Sequence, residues 1–374
     1  MIIGVLKEPS PETRVSLLPE HLATLKKWNV EAVVETDAGL NAFASNTKYS
    51  DTGAKVASRH EVLQTADIIL SINIFPEAQT SNLNAKIILG NYQALFNPSL
   101  IKNWADKTIT VFSMDMLPRT TRGQSMDILS SQANIAGYKA VLLAANLFSR
   151  YFPMFMTAAG SIPPAKVLIL GAGVAGLQAI ATARRLGAVV EVFDTRPAVK
   201  EEVMSLGAKF IEVEGAADAS KAGGYAVEQS KEFLQRQKEK IAESVAKADI
   251  VITTAQIPGK KAPILITEQM LDKMKNGSII IDLAAATGGN TELTKDEESF
   301  AHNGVTIIGN SNLPATMPYD ASKLYGKNIL NFLQLIIGKE GKINLNFEDD
   351  LVKGTCIAHD GKITNERVQS LVSS

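Results

Sequence analysis

The most specific chemistry in the sequence comes from three glycines near the middle of the chain. Gly171, Gly173 and Gly176 follow the apolar run VLIL and open an uncharged helical segment. In such a turn the first glycine permits a tight bend, the second lets the backbone approach a pyrophosphate, and the third allows the helix to pack closely on the strand. The N–H groups and positive dipole end of the helix hold the pyrophosphate. The spacing therefore predicts a dinucleotide-binding turn.

An acidic residue at a suitable distance strengthens that prediction. Asp194 lies 23 positions after Gly171 and ends the next predicted strand, where a carboxylate can accept hydrogen bonds from both hydroxyls of an adenosine ribose. Its negative charge would repel a 2′-phosphate, which favours NAD(H) over NADP(H). Arg196 could bind such a phosphate, but we expect this arginine to face the solvent beside the adenine.

A second polar cluster lies just before a long apolar helical segment. Its members are Arg119, Arg122, Gln124, Asp127 and Ser130. A polar loop with a helix N-cap would have the same composition. Because the segment belongs to the first predicted domain and leads directly into the second, we expect it to face an interdomain cleft, where a nicotinamide would lie beyond the carboxyl ends of the strands.

Two weaker signals accompany these clusters. The segment KAGGY, residues 221–225, contains Gly223 and Gly224, which make a mobile loop plausible, with Tyr225 as its one bulky group. An ordinary surface loop has the same composition. Gln256 follows a predicted strand end, and this place at the edge of the sheet makes it a candidate neighbour of the cofactor.

No side chain in these clusters is an obvious proton donor. The four histidines lie elsewhere in the sequence, at His21, His60, His302 and His359. Reducing a ketone or an imine needs a proton donor beside the carbon that accepts the hydride. Hydride that passes directly between two nicotinamide rings needs only alignment and exclusion of water. The clusters are therefore compatible with the second kind of reaction.

Short apolar runs that alternate with helical patterns must position these residues. The runs are continuous, which is typical of parallel sheets covered on both faces. The predicted strands are 2–6, 31–35, 67–71, 86–90 and 109–113 in a first unit, and 166–170, 189–194, 209–213, 249–254, 278–283 and 305–309 in a second. Long helices are predicted over 130–149 and 320–337.

These patterns predict an α/β protein with two doubly wound parallel-sheet (Rossmann-like) domains joined by the two long helices. The first domain would comprise residues 1–130 and be completed by 320–374. The NAD-binding domain, with its flanking linker helix, would comprise residues 131–319.

Composition and charge exclude several classes of function. With 38 Lys and Arg against 39 Asp and Glu, the net charge is −1, so there is no basic excess to bind nucleic acid. The single cysteine, Cys356, excludes an intrachain disulfide framework and a cysteine-based zinc site, and no metal site is predicted. The N-terminus shows neither a secretory signal nor a transit peptide. We expect a soluble cytoplasmic protein that reaches a membrane only through partners.

At the level of whole motifs, the chain resembles the NAD(H)-binding component of proton-translocating NAD(P) transhydrogenases. The likeness includes GVLKEPSPETRVSLLP, RTTRGQSMDILSSQANIAGYKAV, PPAKVLILGAGVAGLQAIATARRLGA, VFDTRP, TTAQIPGKKAPILI and IIIDLAAATGGN. The resemblance implies a homodimer that binds NADH and presents its nicotinamide to a separate NADP(H)-binding subunit. Hydride transfer would be coupled to proton movement through membrane-spanning components at the cytoplasmic face of the inner membrane. It further implies the form in which this component is a separate subunit, typical of bacteria.

The resemblance also implies roles for individual residues. Arg119, Gln124, Asp127 and Ser130 match nicotinamide-side residues and are the candidate catalytic set, with Gln124 reaching toward the hydride acceptor. Tyr225 matches a mobile-loop tyrosine that closes over the nucleotide. The candidate cofactor-binding residues are Arg119, Thr120, Thr121, Arg122, Gln124, Asp127, Ser130, Gly171, Gly173, Val174, Gly176, Asp194, Thr195, Arg196, Gly224, Tyr225, Gln237 and Gln256.

Alanine dehydrogenases are related in fold to this family and provide the main alternative. Their substrate site uses an arginine near the N-terminus, a lysine, a histidine and an aspartate. Arg14 matches the arginine, but the lysine is absent around residues 71–73, Gln93 replaces the histidine and Ala286 replaces the aspartate. This loss favours a site for dinucleotides alone. The alternatives are a soluble amino- or imino-acid dehydrogenase and a non-catalytic NAD(H) sensor.

Overall fold

The computed structural model describes residues 1–76, 83, 85–215 and 230–372. The chain divides into two compact units, one formed by Met1–Gln132 with Ala315–Ser374 and the other by Ala133–Pro314. Each unit is built on its own β-sheet.

The helices and strands of the described residues are as follows. The strands are β1 (Ile2–Val5), β2 (Glu31–Glu35), β3 (Lys55–Ala57), β4 (Ile68–Leu70), β5 (Ile87–Gly90), β6 (Thr110–Ser113), β7 (Phe155–Thr157), β8 (Gly160–Ile162), β9 (Lys166–Leu170), β10 (Val189–Phe193), β11 (Lys209–Phe210), β12 (Ile250–Thr253), β13 (Ile279–Asp282), β14 (Ser299–His302), β15 (Val305–Gly309), β16 (Cys356–His359) and β17 (Lys362–Ile363). The α-helices are α1 (Pro19–Lys27), α2 (Asn46–Asp51), α3 (Arg59–Thr65), α4 (Pro98–Asp106), α5 (Ile128–Leu147), α6 (Val174–Arg185), α7 (Lys200–Ser205), α8 (Lys231–Lys247), α9 (Glu268–Leu271), α10 (Pro318–Ile336), α11 (Asp350–Thr355) and α12 (Glu366–Val372).

The sheet of the first unit has the strand order β3-β2-β1-β4-β5-β6-β16-β17. Strands β1 to β6 are parallel, and the chain reverses its direction of winding between β1 and β4. Alternate residues of each strand enter separate cores: Leu70 and Leu89 belong to one, and Ile69 and Ile88 to the other. Because both faces of the sheet are covered, nearly every position of these strands is apolar.

The sheet of the second unit has the order β11-β10-β9-β12-β13-β15-β14. Its strands are parallel except β14, and the winding reverses between β9 and β12. Ile169 and Leu170 again point into different cores. In such doubly wound sheets, ligands bind outside the carboxyl ends of the strands at the point where the winding reverses.

The predicted fold class is confirmed, but the expectation of purely parallel sheets is wrong at the edges. Strand β14 pairs antiparallel with β15, and β16 pairs antiparallel with β6. The short strands β3, β7, β8 and β17 were not predicted, and the predicted strand 209–213 is paired only over Lys209–Phe210. Edge strands are short and partly exposed, so they lack the continuous apolar run that marks a central strand.

Within the described residues, no helix has both the length and the apolar character needed to cross a bilayer.

Candidate nucleotide-binding site

The predicted glycine-rich turn lies between β9 and α6, at the point where the second sheet reverses its winding. Gly171 has a φ of +104°, a conformation that favours glycine. A Cβ at Gly176 would lie 1.9 Å from the carbonyl oxygen of Gly171, so the close packing of helix on strand requires glycine there. The fold itself therefore explains both residues.

Gly173 is different, because the packing of the described chain gives no reason for a glycine there. It is the N-cap of α6, has an ordinary φ of −77°, and a Cβ added to it would meet no described heavy atom within 4 Å. The next residue, Val174, is 39% exposed. The first N–H groups of a helix have no partner inside the helix. Open space thus lies beside a helix N-terminus, as a pyrophosphate would need.

Asp194 follows β10 and is bonded directly to this turn. One carboxylate oxygen accepts a hydrogen bond of 2.7 Å from the backbone N–H of Ala172, and the other accepts one of 2.8 Å from the N–H of Arg196. The Asp194 side chain is only 6% exposed. The acid is therefore held beside the turn by two backbone donors.

The expectation that Arg196 faces the solvent is wrong. Its Nε donates to one oxygen of Asp194 at 2.9 Å and its Nη2 to the other at 2.7 Å, and the arginine side chain is 19% exposed. These hydrogen bonds raise the pKa of Arg196 above its usual value. The bidentate pair forms because the turn after β10 brings the guanidinium back onto the carboxylate two residues earlier. Thr195, between them, is half-buried.

The end of β12 lies beside the glycine-rich turn. Thr254 donates its hydroxyl to the carbonyl oxygen of Gly171 at 3.1 Å. Gln256 follows, is exposed, and donates an amide hydrogen bond of 3.1 Å to the carbonyl of Leu283. The predicted neighbour Gln256 is therefore at the carboxyl edge of the second sheet, next to the turn.

Sequence reasoning missed two buried residues that fix this edge. Asn290 accepts from the N–H of Ala255 at 3.0 Å and donates to the carbonyls of Ala255 and Pro263, each at 2.9 Å. Asp282 in turn accepts the N–H of Asn290 at 2.6 Å. Both residues occur in the motif IIIDLAAATGGN, which drew attention only as part of a family resemblance. Their burial (0% exposed for each) is what reveals them as supports of the loop that carries Gln256.

Three other predicted residues of the second unit remain apart from this group. Gln237 lies on α8 and is 6% exposed, and its Oε1 has no hydrogen-bond partner among the described residues. Gly224 and Tyr225 lie outside the residues that the structure describes.

The predicted nicotinamide-side residues lie together in the first unit, on a loop, a short 3-10 helix (Gln124–Met126) and the start of α5. Arg119, Thr120, Thr121 and Gln124 are exposed. Met126 is buried in the core below them. The segment is therefore a surface feature anchored from beneath.

Asp127 and Ser130 begin α5 as a cap. One Asp127 oxygen accepts the N–H of Ser130 at 2.9 Å, and the other accepts its hydroxyl at 2.6 Å. Such a cap satisfies the free donors of the first helical turn. The N-cap alternative considered for the sequence is thus present, and it leaves Gln124 as the exposed amide of the segment.

Arg122 is bound to the C-terminal region of the same unit. Its Nη1 donates to Asp349 at 2.8 Å, and its Nη2 contacts both Asp349 and Asp350. Asp349 also caps α11 by accepting the N–H of Leu351 at 2.9 Å. The hydrogen bond from Arg122 lowers the pKa of Asp349. Arg122 therefore fastens the loop to α11.

Arg14, the one residue that matches the alanine dehydrogenase substrate site, is engaged by its own chain. Glu12 accepts from its Nε at 2.8 Å and from Nη2 at 2.7 Å, and Gln132 accepts from Nη1 at 2.8 Å. The arginine is 8% exposed. A buried bidentate pair neutralises the charge that a substrate carboxylate would need.

Glu8 lies beside this pair, at the point where the first sheet reverses its winding. It accepts the N–H of Asn73 at 3.0 Å and is 7% exposed. Burial raises its pKa to about 7, because an ionised carboxylate loses hydration there.

Fold and site together define a class of protein: a two-unit, doubly wound α/β protein with a glycine-rich turn and a fixed acid at the reversal point of its second sheet. Comparison with known proteins agrees. The family models for the alanine dehydrogenase/PNT N-terminal domain and C-terminal domain match residues 4–136 and 140–366. The chain belongs to the alanine dehydrogenase/PNT family.

Individual relatives refine this placement, and the resemblance stated from the motifs is confirmed. An NAD(P) transhydrogenase subunit alpha of Rhodospirillum rubrum is 45% identical, with 98% of each chain covered. An alanine dehydrogenase of Staphylococcus epidermidis is 27% identical over 98% of this chain and 96% of its own. The crystal structure of a transhydrogenase from Sinorhizobium meliloti superimposes with a TM-score of 0.88 at 43% identity, covering 97% of this chain and all of that one.

Proposed function

We propose that this chain is the NAD(H)-binding subunit of a proton-translocating NAD(P) transhydrogenase. It would bind NADH and pass the hydride directly to NADP⁺ held by a partner subunit, while membrane components couple this transfer to proton movement. The observation that carries the proposal is the glycine-rich turn with Asp194 bonded to it through the N–H of Ala172. The near full-length likeness to a transhydrogenase subunit supports it.

The second unit would bind the adenosine and pyrophosphate of NADH. The open space at Gly173 admits the pyrophosphate to the N-terminus of α6. Asp194 would accept the ribose hydroxyls. A carboxylate has about four lone-pair sites, and the N–H groups of Ala172 and Arg196 with the Arg196 guanidinium use all four. Ribose binding therefore requires the guanidinium of Arg196 to move aside.

The exposed residues of the first unit would serve the nicotinamide. NADH supplies the hydride, and no group of the chain has to give or take a proton at the reacting carbon. The roles of Arg119, Asp127 and Ser130 remain predictions, with Gln124 as the side chain that aligns the ring toward the acceptor. Alignment of two reacting rings is the main contribution that a protein makes to such a transfer.

An amino- or imino-acid dehydrogenase is the second candidate, since a relative at 27% identity is an alanine dehydrogenase. The contacts of Arg14 argue against it. A carboxylate substrate would have to break the bidentate pair with Glu12, and the exposed Gln93 offers an amide where those enzymes have a histidine.

We further propose that the chain forms a homodimer and associates with the cytoplasmic face of the inner membrane through its partner subunits. The hairpin formed by β7 and β8 supports the dimer, because its side chains are exposed and several are large and apolar. Phe155 is 43% exposed, Met156 76% and Ile162 37%. Exposed apolar groups gathered on one element are typical of a protein interface.

A nucleotide titration tests the function. NADH fluorescence should report tight binding by this chain and much weaker binding of NADPH, and NADH oxidation should begin when an NADP⁺-loaded partner subunit is added. Keto acids with ammonia should give no NADH oxidation. Turnover of a keto acid would establish the dehydrogenase instead, and binding without oxidation by any acceptor or partner would indicate a sensor.

A further inference from the structure

Two amide side chains of α10 converge on one backbone carbonyl in the segment that carries Gln124. Asn328 and Asn331 each donate a hydrogen bond of 2.8 Å from Nδ2 to the carbonyl oxygen of Ser125. Residues three apart lie on the same face of a helix. The pair therefore forms a fork that fixes both the position and the direction of this carbonyl.

Helix packing alone does not explain an asparagine at position 328. The residue is 8% exposed, and its neighbours Ile329 and Leu330 are buried in the core of the first unit. Its Oδ1 has no hydrogen-bond partner among the described residues. Burying an unpaired acceptor lowers stability, and an apolar side chain of similar size would avoid that loss. The amide is retained at a cost, and the bond that it makes is to the Ser125 carbonyl.

The other contacts of the segment leave this carbonyl as its second anchor. Met126 is buried below the 3-10 helix, whereas Gln124 and Ser125 are exposed. Helix α10 is a firm support, because Phe332 and Leu333 on its length are 0% exposed. A site is held accurately when rigid elements support the side chains that form it.

We propose that Asn328 and Asn331 are positioning residues that hold Gln124 in place through the Ser125 carbonyl. This inference rests on the proposed function, in which Gln124 aligns the nicotinamide. Loss of the fork would let the 3-10 helix shift, so that hydride transfer slows. NADH contacts at Asp194 in the second unit would be unaffected.

The test compares Asn331→Ala and Asn328→Leu with Gln334→Ala, which removes an exposed amide from the same helix. Either Asn variant should slow hydride transfer to an NADP⁺-loaded partner subunit by about tenfold or more, and the Kd for NADH should stay within about twofold of the wild-type value. Gln334→Ala should match the wild type. Asn331 is only half-buried, so Asn331→Ala serves if Asn328→Leu does not fold. Wild-type transfer rates in the folded Asn variants would overturn the proposal.

A double-mutant cycle separates positioning from general destabilisation. If the fork acts through Gln124, Asn331→Ala should slow transfer little further in a Gln124→Ala background. Independent, multiplying effects would overturn the proposal. Amide hydrogen exchange gives a readout that needs no activity: exchange at Gln124 and Met126 should be faster in Asn331→Ala, and unchanged protection would also overturn it. A wild-type protein that shows the fork by exchange but transfers no hydride would refute the proposed function alone.

Discussion

The backbone N–H of Ala172 donates a 2.7 Å hydrogen bond to a carboxylate oxygen of Asp194. This contact joins the glycine-rich turn after β9 to the acid after β10. The place for a pyrophosphate and the acceptor for a ribose are therefore fixed relative to each other before any nucleotide binds, which is the preorganisation that gives affinity at little entropic cost.

Replacing the acid should weaken NADH binding. Asp194→Ala removes the ribose acceptor and leaves the N–H of Ala172 without it, so we expect a loss of about 1–3 kcal/mol in binding free energy. Fluorescence titration measures this directly. Asp272→Ala, which removes an exposed acid of the same unit, is the control. Equal affinities of the Asp194 and Asp272 variants would remove Asp194 from the site.

Two glycine substitutions should have opposite effects. Gly173→Ala meets no described atom and should change stability by less than about 1 kcal/mol, yet it should lower NADH affinity about tenfold or more, because the methyl group lies where the pyrophosphate must approach. Gly176→Ala clashes with the carbonyl of Gly171 and should destabilise the fold itself. Thermal unfolding and NADH titration of both variants check the contrast. Unchanged NADH affinity in Gly173→Ala would argue against a pyrophosphate there.

Shortening one amide should affect transfer rather than binding. We expect Gln124→Asn to bind NADH as the wild type does and to transfer hydride more slowly, because a shorter side chain alters alignment more than affinity. Stopped-flow measurement with the partner subunit gives the rate, and Gln334→Asn, the same shortening at an exposed position of α10, is the control. A variant that lost affinity but kept its rate would reverse the proposed assignment.

The raised pKa of Glu8 should make the stability of the first unit depend on pH. A folded-state pKa of about 7 against an ordinary 4.5 means that the folded protein binds more protons than the unfolded chain between these values. Stability from this group is therefore present at low pH and is lost as pH rises through 7, by up to about 3 kcal/mol. Glu8→Gln cannot ionise and should lack this loss. Urea unfolding of both proteins from pH 5 to pH 8 gives the difference, and parallel curves would contradict the buried, protonated state of Glu8.

The sequence predicts central elements well and their contacts poorly. The apolar runs of β9, β10 and β12 mark buried parallel strands because every position packs on one core or the other. Strand β14 escapes prediction because its exposure alternates and it pairs at an edge. The turn that folds Arg196 onto Asp194 depends on backbone angles that composition does not encode.

Long-range supports are the least accessible to sequence reasoning. Ser125 and Asn328 are 203 positions apart, so no local pattern joins them. The exposed candidates of the first unit were found through motif resemblance rather than chemistry, since a polar loop before a helix has the same composition. The groups that hold these candidates in place became visible only through burial and hydrogen bonding.

The central claim is that hydride moves directly from NADH on this chain to NADP⁺ on another subunit. The most direct measurement uses NADH deuterated at the transferable C4 position, mixed with this chain and the NADP⁺-loaded partner, followed by mass spectrometry of the NADPH formed. Direct transfer predicts that the deuterium is retained in the NADPH. Unlabelled NADPH, or no NADPH from components that are folded and bind their nucleotides, would contradict it.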